Sequence, residues 1–515
     1  SKIMKKVIFS YIEPDKKIEI PQFLKKNYGW EPVVFSFNSS VKKGMKNFFP
    51  DALVADEGKL RANIFDYHGL KKKPIDAEII KKLKPYEGNF LSMIKEAHPG
   101  ALSFFERRNF YYEILNYWNS VIHDKKPDLY LSYTAPHNEA TYPLYLMCKY
   151  IHSIPLVFLE DYCFFDKYYT YNNNLNNSSL IFKNYERKNI SEISDVVKNY
   201  FTNFKKKPTP PSYLKDFLEY MSDQKKTIQL IKVFFKEVFI VLKNIIKPRQ
   251  SFNNNSYYKM NRKKNIMYIT AAHAFYYEKI FAIKSYFNEK FYENIAQKKI
   301  PTNNFIFFAP SVQPEYYGNL RTGIFEDHIL ILELLIENLP ADWTVVYKEH
   351  PFQFSERFGS LNKDKMFYKK IKKMKRVNIL SQSINTYELI KKSTAVACSG
   401  STVGMDAMML GKPCLVFGNT WYNSCKSSIN IKTNHDLLEA FKKISLGFNP
   451  EERDLMSFFD HIYSISSDVL ILFIAKNIKN KFINKTFSHD VDLKKEYQKV
   501  ALKFYDNYKR LYENS

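Results

Sequence analysis

Residues 395–418 read Ala395-Val396-Ala397-Cys398-Ser399-Gly400-Ser401-Thr402-Val403-Gly404-Met405-Asp406-Ala407-Met408-Met409-Leu410-Gly411-Lys412-Pro413-Cys414-Leu415-Val416-Phe417-Gly418. A short apolar run passes into glycine and hydroxyl residues. An apolar stretch of helical spacing follows, then a Gly-Lys-Pro turn and a second apolar run. The order is strand, loop, helix, turn, strand. Two strands joined through a helix lie parallel, because a parallel pair needs a crossover.

The same alternation extends outward on both sides. Strands are expected at 266–270, 305–309, 344–347, 377–380, 395–398 and 414–417, with helices at 327–338, 386–393, 402–410 and 436–444. Residues 261–445 therefore read as one Rossmann-like domain. An earlier series places strands at 6–10, 32–37, 129–133 and 156–160, with helices at 104–121 and 140–152, giving a first Rossmann-like domain over 1–190. Between the two, 171–179 is an Asn-rich loop, 205–212 a Lys/Pro linker and 214–246 a basic helical stretch, so 191–260 reads as a helical insert. The tail, 446–515, reads as helices only and is expected to pack back towards the first domain. The fold class is α/β with two Rossmann-like domains and closing C-terminal helices.

Composition limits the partners. The 515 residues carry 78 Lys+Arg against 53 Asp+Glu, a net charge of +25. That excess suits an acidic partner such as nucleic acid, an anionic membrane surface or a nucleotide-bearing substrate. Lys, Asn, Ile, Phe and Tyr share A/T-rich codons, so genomic bias is the competing account. No zinc-finger spacing or RNA-recognition signature is present, and nucleic acid is set aside. Apolar residues at 45% and aromatics at 17% exclude a disordered chain. No run reaches the length of a membrane span, and the first residues lack the apolar stretch of a signal peptide. Five scattered cysteines without a CxxC pair argue against a disulfide framework or zinc ribbon. The expectation is a cytoplasmic protein, with peripheral contact at the inner face of the membrane through its basic residues.

Three motifs fall at the carboxyl ends of expected strands, the edge where open α/β sheets bind ligands. Lys348-Glu349-His350-Pro351 follows the strand 344–347. Pro351 biases His350 towards an extended conformation, and His beside Lys suits phosphate oxygens. The alternative is a His satisfied by the backbone, with Lys348 and Glu349 solvated. In the loop opening the next helix, Ser399, Gly400, Ser401 and Thr402 would aim backbone N–H groups at an anion. Asp406, one turn further, would accept from ribose hydroxyls. Read structurally, the loop is a plain Ser/Thr cap. Gln313 and Glu315 follow the strand 305–309, where they would contact a donor sugar or cap the next helix.

Together, Gln313-Pro314-Glu315, Asp342-Trp343, 347–353, 399–407 and Gly411-Lys412-Pro413 resemble the capsule and surface-polysaccharide synthesis family, which includes bacterial Kdo transferases of the GT-B type. The resemblance covers 305–418. It implies a GT-B-like fold with the ligand between the halves and a CMP-sugar donor whose phosphate is held by the His-Pro and Ser-rich motifs. Where GT-B enzymes often carry Glu, this chain has Asp406, one methylene shorter.

Catalytic groups are expected from the first half: His137 and Glu139 after strand 129–133, and Glu160 and Asp161 after 156–159. His273, after 266–270, is a further candidate. Each would deprotonate an acceptor hydroxyl or attack the anomeric carbon. No metal or other cofactor is expected, since no DxD motif ends a strand. Lys348, His350 and the 399–402 loop would stabilise the phosphate instead. The function read from this is transfer of a sugar, a Kdo-like acidic sugar from a CMP donor, to a growing capsular or lipid-linked glycan. The alternatives are a CDP-polyol phosphotransferase of the teichoic-acid type and a non-catalytic membrane-docking subunit.

Overall fold

The computed structural model describes residues 4–11, 18–37, 45, 47–97, 102–161, 168–175, 185–210, 259–261, 266–268, 271–313, 320–354, 363–468 and 493–513. The chain divides into two compact units, one of residues 1–173, 247–274 and 465–515, the other of residues 174–246 and 275–464. The basic stretch 214–246 and Glu315 lie outside the described residues.

The first unit is built on β1 (Lys5–Ser10), β2 (Trp30–Phe37), β3 (Leu53–Asp56), β4 (Leu129–Ser132), β5 (Leu156–Asp161) and β6 (Tyr168–Asn172). The strands run in the order β6-β5-β4-β1-β2-β3, and all are parallel except β6. β1 is central, and Val7, Ile8 and Phe9 are wholly buried, as a strand covered on both faces requires. Pro32 lies in β2 where the register to β1 shifts between Val7 and Ile8, a bulge that tolerates the missing N–H. Ser103 and Glu106 form a reciprocal cap that starts the helix Phe104–Lys125.

The tail departs from its reading as helices only. Ser467–Asp468 adds a short strand antiparallel to β6. The last helix, Leu493–Tyr512, then packs on Glu19–Tyr28 and on β2. Tyr505 stacks on Tyr28 with ring centroids 3.6 Å apart, and Tyr508 meets Trp30 edge-on at 5.4 Å. The Tyr512 hydroxyl donates to the Leu156 carbonyl at 3.0 Å and accepts its N–H at 3.2 Å, clamping the start of β5.

The strand expected at 266–270 also differs. Ile266–Tyr268 (β8) pairs antiparallel with Lys259–Asn261 (β7) in a hairpin of its own. The second unit's sheet is instead β9 (Phe305–Ala309), β10 (Thr344–Lys348), β11 (Val377–Leu380), β12 (Ala395–Cys398), β13 (Cys414–Val416) and β14 (Ile429–Asn430), all parallel, in the order β11-β10-β9-β12-β13-β14. The sixth strand is thus a two-residue edge piece, too short to carry a periodic signal. Helices His328–Asn338, Thr386–Lys392, Val403–Met409 and Asn434–Ser445 match the expected ones within two residues. Asp327, Asn385 and Thr433 cap three of them by accepting backbone N–H bonds.

Candidate functional site

The carboxyl ends of β9, β10 and β12 bring the second-half motifs to one edge. In β10 alternate side chains face opposite sides. Tyr347 and Glu349 point to the helix Lys365–Lys373, while Lys348 points to Thr386, donating to its Oγ1 at 2.8 Å. Lys348 is 5% exposed, and burial lowers its ammonium to about 8.

Glu349 is not solvated. It accepts from Lys363 Nζ at 3.0 Å, Tyr347 OH at 2.5 Å, Tyr368 OH at 2.9 Å and the His350 N–H at 2.9 Å. Its own N–H donates to Tyr292 OH at 2.9 Å. Lys363 and Glu349 are both fully buried, so each charge is compensated where water cannot reach it. This carboxylate fixes the backbone from which His350 leaves the strand.

His350 Nδ1 accepts the Phe352 N–H at 3.1 Å, which puts the ring hydrogen on Nε2. Its carbonyl accepts Gln382 Nε2 at 2.9 Å. Burial, with Lys363 and Lys348 nearby, lowers the imidazole to about 3. His350 is therefore neutral at physiological pH. It offers a directed N–H rather than the positive charge that its place beside Lys348 suggests.

The Ser-rich loop departs from expectation. Thr402 occupies the position before the helix Val403–Met409 but makes no side-chain cap. Seven residues give only a weak dipole, since the field grows with aligned peptides. The Cys398 thiol is held below its ordinary range, chiefly by the Cys414 thiol beside it, with Tyr422 and the loop's backbone adding to the effect against burial. Tyr422 OH donates to the Ser401 carbonyl at 2.5 Å, and Ser401 Oγ is buried without a hydrogen-bond partner among the described residues. Two glycines hold the packing. A Cβ on Gly404 would meet Tyr422 OH at 2.4 Å and the Cys398 and Cys414 sulfurs at 2.8 Å, and one on Gly418 would lie 1.8 Å from the Ser399 carbonyl oxygen.

Asp406 remains partly exposed and accepts from Tyr387 OH, and burial pushes its carboxyl up to about 7. Gln313 faces inward: its Nε2 donates to the Glu326 carbonyl, and its backbone exchanges hydrogen bonds with Gln353 at 2.9 and 2.5 Å. That amide is occupied by the fold and does not face a sugar.

The first-half candidates separate. Glu139 is fully buried in an ion pair with Arg61, 2.9 Å from its Nε, which makes it a poor base. His137 stacks on Tyr11 with Nδ1 2.5 Å from the Ala135 carbonyl. Glu160 and Asp161 do not follow β5 in a loop. They are paired within it to Thr170 and Tyr169 of β6, which the sequence reading missed. His273 lies in the first turn of the helix Ala271–Ile295, after a strand that pairs with β7 and not with β9–β14.

The sequence reading overlooked Glu57. It sits just past β3, accepts from Ser36 Oγ at 3.2 Å and Asn138 Nδ2 at 3.1 Å, and has its carboxyl raised by burial. A carboxylate directly after an apolar run was the available signal, but the four-residue β3 was not recognised as a strand. Lys363 gave no signal, since its role depends on a tertiary partner.

Residues 203–426 match the family model of capsule polysaccharide biosynthesis proteins. That span contains every stretch of the resemblance, including Lys348–Pro351 and Ser399–Ala407. No curated protein matches the chain. Among solved structures, KpsC of Thermosulfurimonas dismutans, a beta Kdo 2,7 transferase, is 11% identical at a TM-score of 0.28, over 79% of this chain and 89% of that one. The UDP-GlcNAc 2-epimerase of Methanocaldococcus jannaschii is 12% identical at a TM-score of 0.24, over 89% and 98%. Among the described residues, no helix is long and apolar enough to cross a membrane.

Proposed function

We propose that the chain is a glycosyltransferase of capsular polysaccharide synthesis, transferring a sugar from a nucleotide donor to a growing glycan. The observation that carries this reading is His350. Its ring is held by the Phe352 N–H so that Nε2–H is the remaining donor, and it stands at the ligand edge of a parallel sheet within the family-matched region. A neutral donor fixed in advance stabilises the negative charge that grows on a departing nucleotide phosphate, with no reorganisation during the reaction. Lys348 supplies the nearby positive charge. A CMP-linked, Kdo-like acidic sugar is the proposed donor; the base and sugar rest on the resemblance of the His-Pro and Ser-rich motifs, since phosphate contacts do not distinguish bases.

Thermal unfolding with CMP, CDP, UDP and GDP tests the donor. A ligand at ~100 times its dissociation constant adds roughly 2.7 kcal/mol to native stability, a readily measured shift. The expected result is a larger shift with cytidine nucleotides. A larger shift with UDP or GDP removes the Kdo-like donor, and no shift with any nucleotide removes the transferase reading.

A further inference from the structure

In the second sheet β9 is the pivot. The chain adds β10 and β11 on one side of it, then crosses to place β12, β13 and β14 on the other. Loops leaving β9 and β12 therefore part from each other, and such a reversal point is where open α/β sheets hold ligands. The ladders pair Tyr347 with Phe308 and Cys398 with Ala309. Continued beyond the strand ends, they bring Ser311 level with His350 on one side and with Gly400 on the other.

Ser311 Oγ lies 3.0 Å from Ser399 Oγ and 3.3 Å from His328 Nε2. His328 is 1% exposed, its Nδ1 has no hydrogen-bond partner among the described residues, and burial keeps the ring neutral. A neutral imidazole carries one N–H. On Nδ1 that hydrogen would be a buried, unpaired donor, which costs more than a bare lone pair. The hydrogen therefore sits on Nε2 and donates to Ser311. Ser399 is fully buried, and its hydroxyl has Ser311 Oγ as its partner among the described residues. Among the described residues the Ser399 hydrogen has no other acceptor, so Ser399 donates to Ser311; Ser311 then accepts twice, filling both lone pairs, and its own O–H points elsewhere. Ser311 is the one member of the trio that is not buried. Two incoming donors also polarise that O–H.

We infer that Ser311 is a further anion-contact residue, donating its hydroxyl to a phosphate oxygen of the nucleotide, with His328 and Ser399 behind it as positioning residues. This rests on the nucleotide-donor reading and adds to it a contact that no motif announced.

The test is calorimetric titration of the full chain with CMP and cytidine, UMP and uridine, and GMP and guanosine. Ser311→Ala is expected to weaken the monophosphate that wild type binds by roughly tenfold or more, the loss of a hydrogen bond to a charged group, while leaving its nucleoside unchanged. His328→Leu should show the same selective loss, and His328→Gln, which keeps an N–H donor, should recover most of it. Unliganded melting temperatures control for folding. Ser311→Ala binding the monophosphate as wild type does overturns the inference and leaves the nucleotide reading standing. Wild type binding none of the monophosphates overturns both.

Discussion

At the scale of single residues, environment decides what the sequence leaves open. His350 was legible as a residue at the carboxyl edge of the sheet, because a strand followed by His-Pro is a local signal. Its neutrality was not, because it comes from burial beside Lys348 and Lys363. Asp406 shows the same division. Its carboxyl titrates near 7 in the fold, against about 3.9 for an unperturbed Asp. The folded state therefore binds the proton more tightly, and stability falls as pH rises between those two values. Asp406→Asn should remove that fall. In melting curves from pH 4 to 8, the variant's stability relative to wild type should increase with pH, and parallel curves would show that Asp406 titrates normally. Gln313 follows a strand, but its amide turns inward to Glu326, a direction that no local pattern encodes.

Among elements, the runs that became β9, β10, β12 and β13 were legible because strands buried on both faces are nearly continuous apolar stretches. β14 and Ser467–Asp468 were not, since a two-residue strand exists only through its neighbour. The 266–270 run carries strand propensity, but propensity does not specify a pairing partner, and it pairs with β7 instead of the sheet. The Lys348–Pro351 loop depends likewise on a distant element, Lys363 with Tyr368, which holds Glu349. Lys363→Met leaves a buried carboxylate uncompensated and should cost about 3–5 kcal/mol. Lys363→Met with Glu349→Gln should cost less than Lys363→Met alone. Denaturant titration of the two single variants and the double measures this, and a double variant as unstable as the sum of the singles would show that the two residues are not coupled.

Over the whole chain, one all-parallel and one mostly parallel sheet share one plan, a central strand from which the chain builds first to one side and then to the other. Two alternating series in the sequence announced that plan; the helix Leu493–Tyr512 joining the first unit rests on Tyr505, Tyr508 and Tyr512 finding partners hundreds of residues away. The central claim is that the second unit's sheet edge serves sugar transfer, with His350 stabilising the departing nucleotide. It is tested most directly by incubating the full chain with nucleotide-linked sugars and a capsular glycan acceptor, and measuring sugar incorporated and nucleotide released in wild type and His350→Ala. The account predicts equal amounts of glycosylated product and free nucleotide, greatest with a CMP-linked sugar, and at least roughly tenfold slower turnover in a folded His350→Ala. Incorporation of a polyol phosphate from a CDP donor with no sugar transfer, or undiminished turnover in His350→Ala, would contradict it.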